Sequence, residues 1–226
     1  LDAELGHVEA GLRSFDRDMP EEINRIVIDH VADRLFAPTE KSAAHLRNEN
    51  IPDERIAVTG NTIVDAVQQN ATLAERKSDV LDNLGLTDGE FALMTAHRPG
   101  NVDDKERFEG LLDGIAEYAD KTGTEVVYPV HPRSEEQLRE HDIDVPGRIR
   151  CVEPLDFLDF LQLENTASVV FTDSGGVQEE TCILGTPCVT IRDSTERPET
   201  LSVGSNTLAD PTADSIIVSV FDVKSG

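Results

Sequence analysis

Short apolar runs alternate with amphipathic stretches along most of the chain, and this alternation predicts a parallel α/β sheet. PEEINRIVIDHVADRL, starting at Pro20, reads as a helix with proline in its first turn. Ile23, Ile26, Val27 and Val31 supply its apolar face. LFA at 35–37 predicts a short strand, and Thr39 the N-cap of a helix reaching about Leu46. IAVT at 56–59 predicts another strand, closed by Gly60-Asn61. From Thr62 one long helical pattern runs toward Leu84.

The tempo then changes. FALMT (91–95), EVVYPV (125–130), RIRCVE (148–153), SVVFT (168–172) and PCVTI (187–191) predict strands. Helical patterns over 104–121, 155–164 and 176–184 separate some of them. This second set reads as a self-contained Rossmann-like series, which places a domain boundary near 61–62 and gives domains 1–61 and 62–226.

The chain has 226 residues, enough for one large domain or two modest ones. No run approaches the ~18 apolar residues that would span a membrane. No basic segment precedes an apolar one in the manner of a secretory signal. The chain begins at Leu1 rather than Met, which points to residues before it. Formal net charge is −25, and the only lysines are Lys41, Lys77, Lys105, Lys121 and Lys224. An acidic, lysine-poor surface fits a halophile, where salt screens self-repulsion. The regular apolar segments argue against an acidic disordered chain. The absence of a basic stripe argues against nucleic acid as a partner. Cys151, Cys182 and Cys188 are odd in number and lack CxxC spacing, so they read as reduced, buried thiols of a cytoplasmic protein rather than as metal ligands or nucleophiles.

In open parallel sheets, ligands bind beyond the carboxyl ends of the strands. Three polar clusters fall there: His97-Arg98, His131, and Asp173-Ser174-Gly175-Gly176. Glycines at a helix start let backbone approach a phosphate, whose charge suits the helix dipole. Glu179 and Glu180 follow three to four residues into that helix. A carboxylate there would repel a diphosphate but would accept hydrogen bonds from a ribose diol, the role this reading gives Glu180. The plainer alternative is a tight strand–helix turn with a solvated glutamate pair. His97 and His131 are each compatible with a capped or packed imidazole; together, at successive strand ends, they read as ligand-contacting groups. Nearer the N-terminus, HVEAGLRS (7–14) sets Glu9 between apolar neighbours, followed by Gly11 and Arg13. In PEEINR (20–25), Glu21 and Arg25 stand four apart on one helix face. They fit either an ordinary ion pair or a carboxylate held by an arginine beside a substrate, with Glu9 as a second acid–base group.

Taken in order, HVEAGLRS, PEEINR, APTE, VTGNT with VDA one residue later, AHRPGN, YPVHP, TDSGGVQEE, LGTP and RDSTERPE resemble the non-hydrolysing UDP-N-acetylglucosamine 2-epimerase family from residue 7 to about 200. The resemblance implies two Rossmann-like α/β domains of the glycosyltransferase-B type, with a UDP-sugar bound between them. It assigns Glu9, Glu21, Arg25 and His97 to catalysis. It assigns His131, Ser174, Gly175, Gly176 and Glu180 to the nucleotide, and Arg192, Glu196 and Arg197 to the cleft lining. It implies elimination of UDP to a 2-acetamidoglucal and re-addition after reprotonation on the opposite face. It implies no metal or redox cofactor, a homodimer and no membrane association. A full member carries roughly a hundred further residues before Leu1, and helices beyond Gly226, so the first domain is expected to be incomplete, lacking one catalytic carboxylate. Alternatives are a 2-epimerase acting on UDP-2,3-diacetamido uronic acid, a glycosyltransferase of the same fold, which has no need of HVEAGLRS or PEEINR, and an inactive UDP-binding fragment.

Overall fold

The structure, a computed structural model, describes residues 3–17 and 19–225. They form two compact units. One comprises the residues up to Ala66 together with Ser194–Arg197; the other comprises Val67–Asp193 and the residues from Pro198 onward.

The first unit has a parallel three-stranded sheet in the order β1 (Gly6–Val8), β2 (Arg34–Ala37), β3 (Ile56–Val58). Helix α1 (Pro20–Val31) joins β1 to β2, and α2 (Glu40–Asn48) leads toward β3. Thr39 caps α2 as expected, its Oγ1 accepting from the Ser42 N–H at 3.1 Å. The core is small: Ala10, Ala32, Leu35, Ala37, Ala43, Leu46 and Ile51. Helix α1 corrects the sequence reading of its faces. Ile23, Val27 and Val31 are solvent-exposed, whereas the charged Glu22 and Asp29 are buried. Periodicity ranks side chains by type. Here the inward face is polar because the preceding loop supplies hydrogen-bond donors for both carboxylates.

Helix α3 (Thr62–Lys77) crosses the division between the units at Ala66–Val67, four residues beyond its start and beyond the boundary read from the sequence. The helix expected over 62–84 is broken. A second short helix, α4 (Val80–Leu84), follows, and Ser78 at the break donates to Asp159 Oδ1 at 2.6 Å.

The second unit is built on a six-stranded parallel sheet: β4 (Phe91–Thr95), β5 (Glu125–Pro129), β6 (Ile149–Val152), β7 (Val170–Thr172), β8 (Cys188–Ile191) and β9 (Asn206–Ala209). Their spatial order is β6-β5-β4-β7-β8-β9, the Rossmann order 3-2-1-4-5-6. The helices are α5 (Pro99–Val102), α6 (Lys105–Thr122), α7 (Pro132–Glu140), α8 (Phe157–Thr166), α9 (Gly175–Leu184), α10 (Pro198–Ser202) and α11 (Ala213–Ser225). All five strands expected here form. β9, α5, α7, α10 and α11 were not expected.

One apolar cluster, including Phe108, Leu111, Leu112, Ile115, Tyr128 and Phe171, is completed by Ile216 and Val220 of α11. A second contains Phe91, Leu93, Val127, Leu163 and Val177. At Gly114 a β-carbon would meet Ile216 Cδ1 at 2.7 Å, so glycine there permits the close approach of α11 to α6. The three cysteines are free; Cys188 is buried and Cys182 half-buried, but Cys151 is exposed on edge strand β6, contrary to the expectation of three buried thiols. No helix among the described residues is long and apolar enough to cross a membrane.

Candidate active site

In the second unit the strand order reverses between β4 and β7, and two of the three expected clusters sit at their carboxyl ends. Asp173, immediately after β7, is fully buried. Its carboxylate accepts the backbone N–H groups of His97 (2.9 Å) and Arg98 (2.8 Å) and the Asn101 side-chain amide (3.3 Å). His97 Nδ1 lies 3.2 Å from Asp173 Oδ1. Burial alone pushes this carboxyl up. The hydrogen bond and charge of His97 and the two backbone donors outweigh it, and the group is held below the usual aspartate range. Donation from Nδ1 fixes the His97 ring and leaves Nε2 for a ligand.

His131, beyond β5, lies beside it, with ring centroids 5.2 Å apart and planes tilted by 35°. Its Nδ1 accepts from the Arg133 N–H at 3.1 Å, capping α7, which places the proton of the neutral ring on Nε2. Burial, and then the charge of His97, lower its pKa.

Helix α9 opens directly after Asp173. Ser174 is its N-cap but makes no side-chain cap; its own N–H donates to Thr172 Oγ1 at 2.9 Å. The first turn therefore presents open backbone donors at the positive end of the dipole. A β-carbon on Gly176 would meet only Ser174 Oγ, at 3.9 Å, and the residue's φ is not positive. Neither conformation nor packing within the chain requires glycine there, and close approach by a ligand would. Glu180, one turn on, is half-buried, and burial raises its pKa. Arg192 follows β8, half-buried.

The remaining expected residues belong to the first unit. Glu9, after β1, is half-buried and has φ +64°, a left-handed conformation that costs a non-glycine residue. Its carboxylate pairs with Arg197 at 3.8 Å. Arg25 pairs with Glu22 at 3.4 Å and donates to the Glu21 carbonyl at 3.1 Å. Burial lowers the Arg25 pKa; Glu22 and the buried Glu196 oppose this, and Arg197 adds to it. The structure thus gathers Arg25, Glu196 and Arg197 with Glu22, and joins Glu9 to that group through Arg197. Glu21 has an exposed side chain.

The loop carrying Glu9 is fastened by residues that spacing did not single out. Buried Asp29 takes Arg13 (2.7 Å), the Gly11 N–H (3.1 Å) and His7 Nδ1 (2.6 Å). Arg13 also forks onto Glu49 with two 2.7 Å bonds. Glu22 takes the N–H groups of Ser14 and Phe15, each at 3.0 Å. Asp173 and Asn101 were visible only as neighbours of the SGG and HRP motifs. Nothing in the local pattern marks Asp29.

These features define the class: an α/β protein of two Rossmann-like units of the glycosyltransferase-B type, with an anion-ready helix start at the topological switch point of the second. A family model described as UDP-N-acetylglucosamine 2-epimerase matches residues 1–226, and the chain belongs to that family. The UDP-N-acetylglucosamine 2-epimerase of Methanocaldococcus jannaschii is 45% identical over 226 residues, covering 97% of this chain and 62% of the relative. A crystal structure of the M. jannaschii enzyme in complex with UDP-GlcNAc and UDP matches with a TM-score of 0.92 at 44% identity, covering 99% of this chain and 63% of that one. The UDP-2,3-diacetamido-2,3-dideoxy-D-glucuronate 2-epimerase of Pseudomonas aeruginosa is 36% identical over 219 residues, covering 97% of this chain and 60% of the relative. The chain thus spans 60–63% of the length of these relatives.

Proposed function

We propose that the protein inverts C2 of UDP-N-acetylglucosamine to give UDP-N-acetylmannosamine. One observation carries the reading: an uncapped, glycine-opened helix start at the switch point, beside a histidine fixed by a buried aspartate. In this reading the N–H groups of Gly175 and Gly176 and the Ser174 hydroxyl, with His97, His131 and Arg192, hold the diphosphate, and Glu180 accepts from the ribose diol. A carboxylate removes the C2 proton as the C1–O bond breaks, giving UDP and 2-acetamidoglucal. A second group returns a proton to the other face of C2, and a diphosphate oxygen re-forms the bond to C1. Glu9 and Glu21 are the proton-transfer candidates, with Arg25, Glu196 and Arg197 setting their charge. We read the protein as a cytoplasmic homodimer supplying sugar for a cell-surface polysaccharide in a high-salt cell.

Incubation with UDP-GlcNAc, followed by proton NMR, tests the reading by the appearance of UDP-ManNAc. Glu9→Gln and Glu21→Gln are each expected to lower turnover about 10²-fold with little change in UDP affinity. Wild-type turnover in either variant removes that residue from the chemistry. The similarity to the P. aeruginosa enzyme supports the diacetamido uronic acid sugar as a second substrate to assay.

A further inference from the structure

Glu164 on α8 is fully buried, and neither of its carboxyl oxygens meets an N–H or O–H donor. An ionised carboxylate so placed has lost its water and gained no replacement. The group acting on it is the carboxyl of Glu180, one helix away on α9. Two carboxylates repel; the same two groups attract once a single proton lies between them. The other titratable group of this pocket is the Cys188 thiol on β8, which burial pushes up to about 12 and which senses Glu164 and Cys182; it stays neutral. Helices α4 and α10, which pack on α8 and α9, bring one charge each, exposed Asp82 and half-buried Glu199.

We propose that Glu164 and Glu180 share one proton, with Glu164 as the standing donor that holds Glu180 as the ionised acceptor of a nucleotide's ribose diol. The inference rests on the role given to Glu180 above, and makes Glu164 a positioning residue. Burial raises the Glu164 pKa well above the glutamate range, which favours the protonated form. Burial also raises Glu180, while the hydrogen bond from Glu164 lowers it. The diol needs ionised Glu180, so its contribution to affinity is present above the Glu180 pKa and is lost as pH falls through it. That loss starts at a higher pH than for an ordinary glutamate. Without the Glu164 donor it starts higher still.

Calorimetric Kd values for UDP and for its 2′,3′-dideoxy analogue, taken from about pH 4.5 to 8, isolate this contribution, because their ratio cancels titration of the phosphate. Wild type should prefer UDP, with the preference fading at the acid end. Glu164→Gln keeps an N–H donor and should overlay the wild-type curve. Glu164→Leu should move the acid limb up by about one pH unit, a roughly fivefold smaller preference near the wild-type midpoint; Glu164→Met serves if leucine does not pack. Glu180→Gln should abolish the pH dependence and most of the preference. If Glu180→Gln behaves so but Glu164→Leu leaves the limb in place, or if Gln and Leu at 164 act alike, the shared proton is refuted and the ribose role stands. If Glu180→Gln keeps the wild-type preference, the ribose role itself falls.

Discussion

Each unit is organised around one buried aspartate that faces a histidine Nδ1, yet the two are satisfied differently. Asp29 in the first unit meets a buried arginine, a backbone N–H and His7. Asp173 in the second meets His97, two backbone N–H groups and an asparagine amide. Arg13 neutralises Asp29 at short range, with a side chain 1% exposed. The side chain facing Asp173 is instead an imidazole, 34% exposed. The first arrangement locks a loop. The second leaves a negative charge whose partner can exchange a proton with a ligand, which is what chemistry requires.

Breaking Asp29 should have the largest effect, and it should be on folding. Asp29→Ala removes one of the two carboxylates that hold buried Arg13 and leaves the buried Gly11 N–H without its acceptor, and should cost about 3 kcal/mol in denaturant unfolding. An unchanged midpoint would contradict its structural role. Asp173→Asn keeps an acceptor for the backbone but loses the charge opposite His97. Turnover should fall about 10²-fold with a smaller loss of stability. The pH dependence sharpens the contrast. The folded-state pKa of Asp173 is depressed, so its stabilising contribution is complete above about pH 4 and is lost as pH falls through the lower native value. Wild type should lose stability in that acid range, and Asp173→Asn should lose less; parallel curves would mean that Asp173 does not carry the effect.

Gly176→Val touches neither aspartate, and because a β-carbon there meets only Ser174 Oγ at 3.9 Å it should leave the melting temperature nearly unchanged. It places a branched side chain at the open helix start and should weaken UDP binding about tenfold. Equal UDP affinity by calorimetry would remove the phosphate reading of that turn. The smallest effect should come from salt. With a formal charge of −25, raising KCl from about 0.1 M to 1 M shortens the Debye length to ~3 Å and should raise the melting temperature of both units. A flat or falling value would sink the high-salt inference.

The second unit was the more legible, for a physical reason. Strands buried on both faces must be continuous apolar runs, and FALMT and PCVTI stand out against any background. Strand NTLA at 206–209 is short and half polar, its Asn206 accepting from Thr190 inside the sheet, so composition hides it. The break between α3 and α4 depends on Asp159, 81 residues from Ser78, and no local window contains it. Helix α1 misleads most, because its inward face is charged and its partners lie in another segment. The chemistry followed the same rule. Motif neighbours such as His97 and Ser174 could be read, whereas the partners that hold them, Asn101 for Asp173 or Asp29 for Arg13, emerge only when distant stretches meet.

The backbone at Glu9 has a practical corollary for anyone hardening this protein. A residue at φ +64° is one that glycine occupies with less strain. Glu9→Gly should therefore be neutral or favourable to folding by up to about 1 kcal/mol, while deleting the carboxylate proposed to move a proton. A thermostability screen run without an assay for product would retain that substitution and lose the proposed activity with it.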